Sequence, residues 1–130
     1  MAKILVLDDE AITVDMLSIF IKMIGHEVVG LTTIPELWSI VASEGVDAFL
    51  LDVMLPDGNG LQVCRQLREH PLVSLKPIIM ISAHFPPMTH EAEAVGATAY
   101  LSKPIRMEKL KEVLGNVGIP VGSPYRNALT

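Results

Sequence analysis

The chain has 130 residues, half of them apolar and only 5% aromatic, with a formal net charge of −5. That length suits one domain whose core is filled by aliphatic side chains and methionines. Fifteen acidic residues against 10 Lys and Arg run against a broad nucleic-acid surface, which needs clustered cations.

Cys64 is the only cysteine, so no intramolecular disulfide forms, and a reducing, cytoplasmic setting is the expectation. Asp8 comes too early for the apolar core of a signal peptide. No apolar run approaches the ~18 residues of a membrane span, so no membrane partner is expected.

Residues 3–7 (KILVL) are β-rich and nearly all apolar, which predicts a strand buried on both faces. Residues 11–24 predict a helix terminated by Gly25. Its many apolar residues, Leu17, Ile19, Ile21 and Ile24 among them, exceed one stripe and leave either deep burial or a partner face open. A second strand is expected over residues 27–31, and a second helix over 34–42, stopping near Gly45. Residues 46–53 (VDAFLLDV) predict the third strand. Pro56, Asp57, Gly58, Asn59 and Gly60 form a turn-rich stretch, followed by a helix over 60–69 that Pro71 closes. In that helix Cys64 shares a stripe with Leu61 and Leu67 and reads as core filler. Residues 77–81 (PIIMI) predict the fourth strand. Pro86 and Pro87 remove donors and fix φ, so the next helix, over 89–95, should start late and be short. Residues 99–101 and 106–114 predict the last strand and helix. Gly115, Gly118, Pro120, Gly122 and Pro124 then break the pattern. A domain over residues 1–115 is expected, with 116–130 a flexible tail or truncated linker.

Five strand–helix units predict an α/β fold, a doubly wound five-stranded parallel sheet with helices on both faces. Ligands of such sheets sit beyond the carboxyl ends of the strands. Asp8 and Asp9 follow the first strand, Asp52 closes the third, Ser82 follows the fourth, and Lys103 follows the fifth. Three carboxylates at one edge repel each other, and a hard divalent cation relieves the conflict. Mg2+ is the expected ion, with Mn2+ as the alternative. Asp52 can then attack as a carboxylate nucleophile, with Lys103 and the ion supplying positive charge and the Ser82 hydroxyl a donor. Singly, each residue has a plain structural explanation: a helix cap for Asp8 and Asp9, a solvated charge for Lys103, packing for Tyr100. Their combination carries the chemistry.

VLDDE, LLDVMLPDGNG, MISA and AYLSKP, in this order and at these spacings, resemble the response regulator receiver family over roughly residues 1–115. The resemblance implies a flavodoxin-like strand order, 2-1-3-4-5. It implies Asp9, Asp52 and the Met54 carbonyl as direct metal ligands, with Asp8 acting largely through water. Asp52 would accept a phosphoryl group from the phosphohistidine of a sensor histidine kinase or a histidine phosphotransfer domain. Ser82 would sense the phosphate and Tyr100 would be the coupled aromatic. The Lys103–Pro104 bond is often cis in relatives. Met54 and His84, each two residues past a key position, would tune the lifetime of the phosphate. The output would be a changed helix 4–strand 5–helix 5 surface, read by a downstream protein or by an output domain missing from this chain. Such a chain is a signalling switch that assists its own phosphorylation and dephosphorylation, rather than a metabolic enzyme. Two rival readings are an aspartyl-nucleophile phosphatase and a non-phosphorylated interaction module. The first would favour a DxD loop, whereas Asp8 and Asp9 are adjacent. The second fits poorly with a complete set of key residues.

Overall fold

Successive residues of β1 (Lys3–Leu7) point to opposite faces, and Ile4 to Leu7 are all fully buried. Ile4 and Val6 enter one core, and Leu5 and Leu7 the other. β1 is therefore covered on both sides, as its unbroken apolar run predicts. β2 (Glu27–Leu31) and β3 (Ala48–Asp52) pair with it in parallel on either side. Numbering continues with a two-residue ribbon, β4 (Met54–Leu55) and β5 (Gly58–Asn59), then β6 (Ile78–Ser82) and β7 (Ala99–Ser102). The main sheet runs β2-β1-β3-β6-β7, all parallel. With the ribbon set aside, this is the expected order 2-1-3-4-5. The computed structural model describes residues 1–121.

Helices α1 (Ala11–Ile24) and α5 (Met107–Asn116) cover one face through Val14, Leu17, Ile21, Leu110 and Leu114. Helices α2 (Ile34–Ser43), α3 (Gly60–Glu69) and α4 (Thr89–Ala94) cover the other through Leu37, Val41, Cys64, Leu67 and Ala92. α4 has only six residues, as the two prolines ahead of it predict. On α1, Ile12, Ile19 and Met23 remain exposed. Among the described residues no helix is long and apolar enough to cross a membrane.

Several element ends shift by one or two residues, and three differences from expectation have a visible cause or consequence. β3 begins at Ala48 rather than at residue 46. The Asp47 carboxylate accepts the Lys3 N–H at 2.8 Å, a donor that continued pairing would otherwise use. The stretch expected as turns folds back as the β4–β5 ribbon, with Met54 opposite Asn59. Past residue 115 the chain stays packed: Asn116 closes α5, the Ile119 N–H donates to the Leu114 carbonyl at 2.9 Å, and Ile119 is 7% exposed. The expected tail thus includes docked residues up to 121, and its remainder lies outside the described residues.

Arg68 on α3 holds the amino-terminal side of β6 and β7. It donates to the carbonyls of Ser74, Lys76 and Gly96 and to the Thr98 hydroxyl, at 2.6 to 3.1 Å.

Gly60 fixes how closely α3 approaches the end of β3. Its N–H donates to the Val53 carbonyl at 2.8 Å, and a Cβ there would lie 1.9 Å from the Asp52 carbonyl oxygen. Both obstructing atoms within 3 Å are backbone, so relief requires moving the helix or the strand. Gly60→Ala is expected to cost about 1–3 kcal/mol, measured by urea denaturation. Gly45→Ala, which meets nothing within 4 Å, should stay within about 0.5 kcal/mol of wild type.

Candidate functional site

The central strands are apolar on both faces, so polar side chains gather only where the strands end. Register then decides which residues meet. Leu7 lies opposite Leu51, Asp52 opposite Ile81, and Ser82 opposite Ser102. Asp8, Asp52 and Ser82 therefore stand side by side at the carboxyl edge, and all three are buried.

The Lys103 ammonium lies 2.7 Å from Asp8 Oδ2, 3.4 Å from Asp52 Oδ2 and 3.5 Å from Glu10 Oε1. One cation thus serves three acids. The Asp8 carboxylate is fully enclosed, and its Oδ1 accepts the Glu10 N–H at 2.9 Å. Among the described residues its Oδ2 is met by the Lys103 ammonium alone. Asp8 does not cap α1: the N-cap position is Glu10, whose side chain makes no cap bond.

Burial and the nearby Asp8 carboxylate push Asp52 up from an ordinary 3.8 to about 6. Lys103 and the Met54 backbone amide pull it the other way without prevailing. For Lys103, burial disfavours the charge, but Asp8 and Asp52 outweigh it and hold the ammonium above its usual range. This is a strained charge balance, since the acids outnumber the cation.

The structure gathers the other predicted residues unequally. The buried Ser82 hydroxyl oxygen accepts the His84 N–H at 3.0 Å. The exposed His84 ring donates from Nδ1 to the Pro86 carbonyl at 2.8 Å. Tyr100 is half-buried, opposite Met80 in the ladder, and its hydroxyl accepts the Met88 N–H at 3.1 Å. It is bound to the start of α4 and makes no bond to Ser82. The Met54 side chain is 61% exposed. The bonds Lys103–Pro104 and Phe85–Pro86 are both cis. The first matches expectation; the second was not anticipated.

Carboxylate oxygens of Asp8, Asp9 and Glu10 lie within 4.8 Å of one another. Hard oxygen donors beside a buried Asp8 carboxylate that shares its one cation with Asp52 fit a hard divalent cation. Asp52 lies outside this close triad and is joined to it through Lys103. Glu10 is the acid that motif reading passed over, although it stands in the same VLDDE run. The loop after Asp52 is fastened at both ends: Asn59 caps α3 through the Leu61 N–H at 2.7 Å, and Asp57 accepts the Ile34 N–H of α2 at 3.0 Å.

Comparison with known proteins agrees with this arrangement. The model of the family described as "Response regulator receiver domain" matches residues 4–115. The protein RcaC of Microchaete diplosiphon is 32% identical over 105 residues, covering 80% of this chain and 16% of RcaC. The alkaline phosphatase synthesis transcriptional regulatory protein PhoP of Bacillus subtilis is 36% identical over 107 residues, covering 78% of this chain and 42% of PhoP. This chain therefore spans a sixth to under half of these relatives. The chemotaxis protein CheY4 of Vibrio cholerae superposes with a TM-score of 0.84 at 30% identity, covering 90% of this chain and 98% of CheY4. The sheet order, the acids at the strand ends and a family match over most of the chain converge, and the chain belongs to the response regulator receiver domain family.

Proposed function

We propose that this receiver is a phosphoacceptor switch of a two-component relay, with Asp52 as the acceptor. The observation that carries the reading is a pair of buried carboxylates, Asp52 and Asp8, sharing one ammonium. The donor is the phosphohistidine of a sensor histidine kinase or a histidine phosphotransfer domain, which places the reaction in the cytoplasm. An Asp52 oxygen attacks phosphorus, the P–N bond breaks as the O–P bond forms, and the departing imidazole nitrogen retains the bonding pair. Lys103, already within 3.4 Å of Asp52, can follow the negative charge onto a phosphoryl oxygen. Ser82 now accepts a hydrogen bond, which leaves its O–H free to donate to another.

Asp9, Asp52 and the Met54 carbonyl would hold Mg2+ or Mn2+, with Asp8 acting largely through water and Glu10 beside them. When bound, the ion supplies positive charge that keeps the acids ionised and offsets charge on the phosphoryl oxygens.

An aspartyl phosphate adds about −1.5 to −2 charge. Ser82 moving to bond it would favour a packing in which Tyr100 leaves the Met88 N–H and turns inward. The α4–β7–α5 surface would then shift its population, to be read by a downstream protein or an output domain outside this chain. Met54 and His84 would set how readily water reaches the phosphate. The protein is a switch that assists its own phosphorylation and dephosphorylation.

With a small phosphodonor and Mg2+, wild type should gain one acid-stable, hydroxylamine-labile phosphoryl group by intact mass, and Asp52→Asn or added chelator should abolish it. Undiminished labelling of Asp52→Asn would overturn the assignment. A phosphate mimic should lower the solvent exposure of Tyr100, and equal exposure with and without it would remove the proposed coupling.

Stability without metal should also report on Asp52. The folded protein holds this proton more tightly than the unfolded chain, so ionisation destabilises the fold. In chelator, wild type should lose up to about 3 kcal/mol relative to Asp52→Asn as pH rises from the ordinary carboxylate value through about 6. Below that window the penalty is absent. Denaturant unfolding of both proteins across the range checks the sign.

A further inference from the structure

His26 lies at the opposite end of the sheet from the phosphoacceptor, between α1 and β2, and is 8% exposed. Its Nδ1 accepts the Ala2 N–H at 2.9 Å, and its Nε2 meets the Pro120 carbonyl oxygen. These partners dictate the protonation state. A backbone N–H can only donate, so Nδ1 must be bare; a carbonyl can only accept, so Nε2 must carry hydrogen. The neutral Nε2–H tautomer alone satisfies both. It clasps the chain just ahead of β1 to the arm after α5, residues 117–121, which bears no charge and buries Ile119.

A proton on Nδ1 would set two N–H donors against each other in a largely enclosed place. The charged groups around the ring offer little compensation. Asp47 lines the same cleft of about 300 Å³, together with Met1, Ala2, Ile119 and Pro120, but its Oδ2 already accepts the Lys3 N–H. Its Oδ1 lies 3.9 Å from the Lys76 ammonium. Lys3 is paired with Glu44 and Glu27, both directed to it, and the Met1 amino group and the exposed Lys22 of α1 are themselves cationic. An unpaired buried imidazolium is costly, and the ring gains by turning to water.

We propose that His26 is a proton-operated latch, whose neutral imidazole fastens residues 117–121 to the amino-terminal end of the sheet and whose protonation releases them. The latch is independent of Asp52 and of any phosphoryl transfer.

Amide hydrogen exchange and long-range proton–nitrogen spectra of the full chain test it. At about pH 8 the spectra should show His26 with hydrogen on Nε2 and a bare Nδ1. Between about pH 8 and about pH 5, exchange at Ile119, corrected for the intrinsic rate, should accelerate roughly tenfold, while Leu50 in β3 keeps its protection. His26→Gln keeps a donor toward Pro120 but cannot take up a proton, so its Ile119 exchange should not respond to pH in this way. An Nδ1–H tautomer at about pH 8, an unchanged wild-type Ile119, or the same acceleration in His26→Gln would each overturn the latch. The first two readouts come from wild type and stand whether or not the variant folds.

Discussion

The site depends on one ammonium placed among more carboxylates than it can neutralise. Lys103 reaches Asp8, Asp52 and Glu10 together, yet burial and Asp8 still raise Asp52 well above an ordinary carboxylate. The pairing is therefore incomplete by construction. A closed salt bridge would need no further ligand; this cluster sets two enclosed carboxylates against one ammonium and gains from added positive charge. In the proposed function a cation would supply that charge, and a transferred phosphoryl group would give Lys103 and the Ser82 hydroxyl new acceptors.

Holding such a cluster together requires a frame that does not yield. The strands carrying Asp8, Asp52 and Ser82 are adjacent in the sheet and apolar on both faces, so slipping one by a residue would exchange side chains between two differently shaped cores and carry its polar end out of line. Gly60 then brings the start of α3 against the Asp52 carbonyl, at a distance no other residue permits without displacement. Together with the Asn59 and Asp57 caps, it fastens the loop that follows Asp52. On the other side single hydrogen bonds join His84 to Ser82 and Met88 to Tyr100. Single bonds of about 0.5–1.5 kcal/mol are suited to exchange between two packings.

Much of this was legible in the sequence because the relevant signals are local. Unbroken apolar runs such as KILVL and PIIMI announce doubly covered strands, and polar residues ending those runs announce the edge where they meet. Paired prolines ahead of residue 89 announce a short α4. The remainder depends on contacts across the fold. No local pattern shows that the Asp47 side chain will take up the Lys3 N–H and shorten β3, or that Tyr100 will bond Met88. Arg68 looks like a surface cation on a helix, yet it binds three carbonyls from two separate segments. Ile119, set between Gly118 and Pro120, reads as tail and is core. Glu10 was within sight but had no partner until the fold brought Lys103 back to it.

The two ends of the sheet follow opposite electrostatic rules. At the amino-terminal end, Lys3 is met by Glu27 and Glu44, Asp47 by the Lys3 amide and Lys76, and Arg68 by carbonyl oxygens. Charges there are exposed or paired, and they secure the elements against one another. At the carboxyl end, enclosed acids outnumber their cation, so that end is less stable than it would be with neutral residues and correspondingly responsive to what binds. Stability and responsiveness conflict at a single site, because a satisfied charge has no reason to change partners. Separating them along the strands relieves the conflict: apolar β1, β3 and β6 span the distance and hold the charged edge in register. His26 is the exception at the stable end, since its two hydrogen bonds hold only while the ring is neutral.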